Sequence, residues 1–213
     1  MKPVKKLFLI ILISLAINSF SQEKQRNWTL NGYVKNMQSI MMEDFNKTWI
    51  TDNLIHNRLN FKWYLNDNLT FATEVRNRFF YGEMVSLFNG TNYPLDYKAL
   101  TDVENGFVDL SGIPFEGDSY FFHTTMDRIW LDYMNGDFQV TVGRQRINWG
   151  QTFVWNPNDI FNAYSFFDFD YEEKPGSDAV RLQYYLNATS KVEFALKANH
   201  NNKITAAGLY RFN

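Results

Sequence analysis

Residues 54–65 alternate: Leu59, Phe61, Trp63 and Leu65 fall on one face, and Arg58, Asn60, Lys62 and Tyr64 on the other. After Asp67-Asn68, Phe71, Thr73, Val75 and Phe79 oppose Ala72, Glu74, Arg76 and Arg78. The pattern returns at 180–186, with Val180, Leu182, Tyr184 and Leu186 against Arg181, Gln183 and Tyr185. It then continues with Val192, Phe194, Leu196 and Ala198 against Glu193, Lys197 and Asn199. A period of two held over about ten residues marks a strand whose two faces meet different surroundings. One face here carries full charges. A soluble sandwich would turn that face to water, and a wide barrel would turn it to its lumen.

Strand and connection lengths separate the two. Eight candidate strands lie near 27–40, 51–66, 69–84, 123–135, 137–150, 177–187, 191–200 and 203–212. Most exceed the roughly five or six residues of a globular strand and reach the 9–11 or so that cross a bilayer at a tilt. The connections alternate. Asn66–Asn68, Asn135-Gly136 and Ala188–Ser190 are tight, whereas those near 41–50, 85–122 and 151–176 are long. Short turns at one end and long loops at the other are the mark of an outer-membrane barrel, the short end being periplasmic. A secreted β-sandwich would need unusually long strands and a very long loop inside a compact domain. The expectation is therefore an all-β, antiparallel up-and-down transmembrane β-barrel, with about eight strands in this chain. Phe79, Phe80, Tyr81, Tyr133, Phe138, Trp149, Tyr210 and Phe212 stand near strand ends, where interfacial girdles belong.

Composition narrows the choice further. The 213 residues include 20 Phe, 12 Tyr and 6 Trp but only 11 Gly and 5 Pro, which suits strands and argues against disorder. There is no cysteine, hence no disulfide framework, thiolate metal site or cysteine nucleophile. A net charge of −2 leaves no basic footprint for nucleic acid. A mean hydropathy of −0.38 excludes a bundle of membrane helices. At the start, Lys2, Lys5 and Lys6 precede the apolar run Leu7 to Ile17, with small residues at Ser19 and Ser21. This is the layout of a secretory signal peptide over 1–21, too short for a spanning anchor, with cleavage after Ser21 and no cysteine to lipidate. The barrel then occupies 22–213, with 18 basic against 23 acidic residues.

The segment 137–150 poses a parity problem. Phe138, Val140 and Val142 share a face, and unbroken alternation would put Arg144 and Arg146 on it too. An arginine at the bilayer midplane costs about 2–4 kcal/mol. An extra residue at Gly143 would form a bulge that reverses the parity. Arg144, Arg146 and Asn148 would then face the lumen, and Ile147 and Trp149 the lipid. Snorkelling of the arginines towards headgroups is the alternative.

The same region carries a resemblance. Gly143-Arg144-Gln145-Arg146-Ile147-Asn148-Trp149-Gly150, Trp155-Asn156-Pro157-Asn158-Asp159-Ile160-Phe161-Asn162 and Pro175-Gly176-Ser177-Asp178-Ala179-Val180-Arg181 resemble a porin-like family of outer-membrane barrels of Bacteroidetes. They are loosely similar to alginate-export-type porins. The resemblance is best over 123–200 and does not specify a substrate. Members are usually longer and end on an aromatic residue, whereas this sequence ends Tyr210-Arg211-Phe212-Asn213. That difference suggests either the N-terminal part of a larger barrel or an unusually small one.

Residues 151–176 hold the acids Asp159, Asp168, Asp170, Glu172 and Glu173 among many aromatics. Asn156-Pro157-Asn158-Asp159 has the cap and first-turn acid of a short helix. Two readings of this loop stand equally. It is a solvated surface loop, or it folds into the lumen with Asp168, Asp170, Glu172 and Glu173 facing Arg58, Arg76, Arg78, Arg144, Arg146 and Arg181. Opposed charges of that kind set ion selectivity in pores. His56, His123 and His200 lack ligand spacing, and no phosphate loop, EF-hand or nucleophile elbow occurs, so neither metal nor cofactor is expected. The functional expectation is a non-enzymatic, porin-like channel of the outer membrane passing small hydrophilic or charged solutes. Its partners are outer-membrane lipid and the solute, and a homo-oligomer is compatible with it. The alternatives are a structural or adhesion barrel whose long loops, 85–122 among them, bind a partner, and a barrel-borne hydrolase.

Overall fold

The computed structural model describes residues 26–90, 97–101, 106–150, 160–161 and 176–212. The expected signal peptide, the short helix at 156–159 and the acids Asp159, Asp168, Asp170, Glu172 and Glu173 lie outside these residues. The described chain is all-β: β1 (Trp28–Met41), β2 (Ile50–Tyr64), β3 (Leu69–Gly82), β4 (Ser111–Gly117), β5 (Tyr120–Asn135), β6 (Phe138–Gln145), β7 (Ser177–Tyr185), β8 (Lys191–Ala198) and β9 (Ile204–Arg211). Two short helices, α1 (Glu83–Gly90) and α2 (Tyr97–Thr101), follow β3. No helix among the described residues is long and apolar enough to cross a membrane.

All pairings are antiparallel, and the sheet runs β1-β2-β3-β5-β6-β7-β8-β9, with β4 added to β5. Among the described residues the sheet is not closed: β1 pairs only with β2, and β9 only with β8. The eight expected strands are present, and β4 is an addition. Its sequence Ser-Gly-Ile-Pro-Phe-Glu-Gly reads as loop, and the irregularity between Gly112 and Phe115 spans Pro114. A proline is tolerated there because β4 lies at an edge, where a missing N–H breaks no ladder bond. β6 ends at Gln145, short of the expected 150, because residues 146–150 leave the sheet.

Burial follows the alternation, with the polarity inverted relative to a water-soluble protein. On β2, Leu54, His56 and Arg58 are buried while Ile55, Leu59 and Trp63 are exposed. On β8, Glu193 is 2% exposed and its neighbour Phe194 45%. Val142, Val180, Leu182, Val192 and Leu196 extend the exposed apolar face across β6 to β8. The buried face holds Arg58, Arg76, Arg78, Asp127, Thr141 and Gln183.

The register also locates the bulge. It runs without a shift through Gly143 on both sides, pairing Trp130 with Gly143 and Gly143 with Ala179. The expected extra residue is therefore not at Gly143. That residue has φ +115°, and a Cβ there would lie 2.3 Å from the Ile129 carbonyl oxygen. Positive φ and close backbone approach account for the glycine. The shift lies instead in β5: Glu74 pairs with Arg128 and Val75 with Met126, so Asp127 is the extra residue. Consecutive side chains, Asp127 and Arg128, consequently both serve the polar face.

Candidate functional site: the buried polar face

The buried face has three zones. Nearest the long connections, Leu54, Phe80, Val85 and Phe121 form an apolar cluster, with Tyr97 and Ile113 packed against it. Phe80 and Phe121 stack at 4.8 Å, and Tyr97 meets Phe121 edge-on at 5.7 Å. Residues of α1 and α2 thus cover the end of β2, β3 and β5. Tyr97 donates its hydroxyl to Asp52 at 2.6 Å, and Arg78 donates to the Thr101 carbonyl at 2.7 Å. Burial, then the hydrogen bond and negative charge of Asp52, push the Tyr97 hydroxyl well above the ordinary tyrosine range. Beneath the cover, His56, Arg78 and His123 occupy one register row across β2, β3 and β5, with Arg78 Nη2 3.3 Å from His123 Nδ1.

The middle zone is an ion-pair network. Arg58 donates to Asp127 and to Glu74, each at 2.5 Å. Arg76 lies 3.2 Å from Asp127, and Arg128 lies 3.2 Å from Glu74. Charges removed from water need such partners, since one left alone would cost several kcal/mol, order of magnitude.

Towards the tight turns the face opens into a cavity of about 290 Å³, walled by Lys62, Glu74, Arg128, Trp130, Asp132, Gln139, Thr141, Gln145, Arg146 and Arg181. Asp132 accepts hydrogen bonds from Gln139 Nε2 at 2.9 Å and Thr141 Oγ1 at 2.6 Å. Tyr185 donates to Gln139 Oε1 at 2.8 Å. Beyond this wall Glu193 gathers Lys191 at 2.7 Å, Trp149 Nε1 at 2.7 Å and Arg181 at 3.9 Å.

Trp149 belongs to a second apolar cover. Ile147, Trp149 and Phe161 pack on Ala179 and Ala195, and Trp149 meets Phe161 edge-on at 5.0 Å. The Phe161 carbonyl accepts from Ser177 Oγ and from Lys197 Nζ. Ile147 and Trp149, expected towards lipid, are thus buried. Once the chain leaves the sheet after Gln145, strand parity no longer governs them.

The arginines expected to line a lumen divide. Arg58, Arg76 and Arg78 share the buried face with Arg181, and Arg146 reaches the cavity wall while remaining exposed. Arg144 differs. It stands opposite Ile129 and Asp178 in the register, on the parity of exposed Val142 rather than of Thr141. Its guanidinium fills the junction where β4 and β6 divide the edge of β5, bonding Asp178 at 2.7 Å and the carbonyls of Val108 and Met126. Alternation sets Glu74 and Glu193 on the charged faces without marking them as site residues, and it names neither Asp127 nor Asp132. Parity alone places Glu74 and Glu193 beside the arginines and carries from His123 and Thr125 to Asp127, whereas Asp132 joins that face through the register shift after Asp127.

Among the described residues no group of three or more His, Cys, Asp or Glu side chains could hold a metal ion. No family model, no curated protein and no solved structure matches the chain.

Proposed function

We propose that this chain is an outer-membrane β-barrel protein providing a porin-like passage for small hydrophilic or charged solutes, with the nine-stranded sheet forming part of the barrel wall. One observation carries the reading: the exposed face of the sheet is apolar and the buried face is charged. Each Val, Leu or Phe side chain withdrawn from water gains about 1.5–3 kcal/mol, and lipid withdraws a whole face of them at once. In water, a contiguous apolar face spanning β6 to β8 would exceed what monomeric proteins normally expose.

Aromatic residues support a bilayer in particular. Trp28, Trp63, Tyr133, Phe138, Tyr184 and Tyr210 are exposed and stand at the tight-turn ends of their strands. Phe79, Phe115, Tyr120 and Phe122 cluster at the opposite end. Two belts flanking an aliphatic band match the two interfaces of a membrane. The resemblance of 143–150, 155–162 and 175–181 to porin-like barrels agrees with this reading, as does the signal peptide proposed for 1–21. Closing the wall requires partners for the free edges of β1 and β9. The reading involves no chemical reaction and no cofactor.

The two apolar covers favour a second reading, in which the barrel does not conduct and its long-connection end binds a partner. Planar-bilayer recording of the purified full chain separates the two. Stepwise conductance supports passage, and a silent bilayer with folded protein supports the second reading.

A further inference from the structure

We propose that the cavity of about 290 Å³ at the tight-turn end binds a small hydroxylated dicarboxylate. This deepens the porin-like reading by naming a solute class, and it rests on that reading for its biological sense.

The charge of the wall comes first. Among the described residues, Lys62, Arg128, Arg146 and Arg181 oppose only Glu74 and Asp132, an excess of two positive charges around one small volume. The carboxylates are already engaged: Glu74 holds Arg58 and Arg128, and Asp132 accepts from Gln139 and Thr141. Glu193 offers Arg181 only a 3.9 Å approach while holding Lys191 at 2.7 Å. Arg146 forms no ion pair among the described residues. A dianion restores the balance, and guanidinium groups recognise carboxylates through paired N–H donors.

Unmet polar atoms on the same wall give a second, independent indication. Arg181 Nε and Gln145 Oε1 are buried without a hydrogen-bond partner among the described residues. Gln145 is 2% exposed and is fixed by its Nε2, which donates to the Thr141 and Ala179 carbonyls. Its oxygen is thus a preset acceptor. Buried donors and acceptors are rarely left unmet, and a ligand carrying both an acceptor and a hydroxyl donor satisfies this pair. The size agrees, since ligand pockets start at about 300 Å³ and a four-carbon acid needs no more.

The test is calorimetric titration of the detergent-solubilised full chain with malate, succinate, inorganic phosphate and erythritol. Saturable malate binding is expected, with succinate weaker by about fivefold for want of the hydroxyl, and no heat from erythritol. Arg146→Gln and Arg181→Gln should each weaken malate by about tenfold or more. Arg146 is exposed, so its replacement leaves the fold intact. Phosphate binding as tightly as malate would overturn the proposal in favour of a general oxyanion site. Absence of malate binding by a chain that conducts would overturn the site while leaving the passage standing. Malate binding by a chain that does not conduct would uphold the site and reject the passage.

Discussion

Arg58 on β2 reaches Asp127 on β5 across the full width of β3. Asp127 continues the buried alternation of Phe121, His123 and Thr125, which sets it on the face of Arg58 and Arg76, and the β5 bulge that follows turns Arg128 onto the same face. One carboxylate thereby supplies the counter-charge for two buried guanidinium groups. Removing the carboxylate leaves both without it. Asp127→Ala should destabilise the folded protein by about 3–5 kcal/mol, read from urea unfolding in lipid vesicles. Joint replacement by Arg58→Met and Asp127→Leu should cost less, because only Arg76 then lacks the carboxylate.

The arginines of the segment 144–146 should separate by effect. Arg144 braces Asp178 and two carbonyls at the β4–β6 junction, so Arg144→Gln should cost about 2–3 kcal/mol and leave ion selectivity unchanged. Arg146 and Arg181 line the cavity, so neutralising either should shift the reversal potential towards cations by altering local ion concentrations several-fold. Reversal potentials under a salt gradient and thermal unfolding, measured on the same three variants, check both halves.

The Tyr97–Asp52 hydrogen bond should make the α1–α2 cover alkali-sensitive. The folded protein holds the Tyr97 hydroxyl above its unfolded value of about 10. Its contribution is accordingly complete below that pH and is lost as the pH rises towards the folded value. Limited proteolysis within residues 83–101 should accelerate above about pH 10 in the parent protein. Tyr97→Phe should show a uniformly looser cover, by about 1 kcal/mol, without that step.

Periodicity makes most of the sheet legible in the sequence. Leu59, Trp63, Val180 and Phe194 are assigned to the exposed face by alternation alone, because a strand turns successive side chains to opposite sides. Arg58, Arg76, Arg78 and Arg181 follow from the same rule. What it misses arises where the backbone leaves the regular pleat. Gly143 has the sequence appearance of a bulge, yet positive φ and the nearness of Ile129 explain it, while the shift lies at Asp127. Asp127 sits between Met126 and Arg128 with no glycine to mark it. Ile147 and Trp149 have strand-like spacing but lie outside β6, so their burial depends on packing against Ala179 and Ala195. Pro114 and two glycines disguise β4 as loop.

The inverted sheet is tested most directly by spin labels in lipid vesicles, placed one at a time at Val142, Leu182 and Phe194 and at their neighbours Thr141, Gln183 and Ala195. A sheet facing lipid with its apolar side predicts alternation. Labels at 142, 182 and 194 should be relaxed by oxygen and shielded from a water-soluble nickel chelate, whereas those at 141, 183 and 195 should show no such lipid signature. Equal access of the nickel chelate to 142, 182 and 194 and to the turn residue Asn187 would contradict it, and with it the membrane-barrel reading.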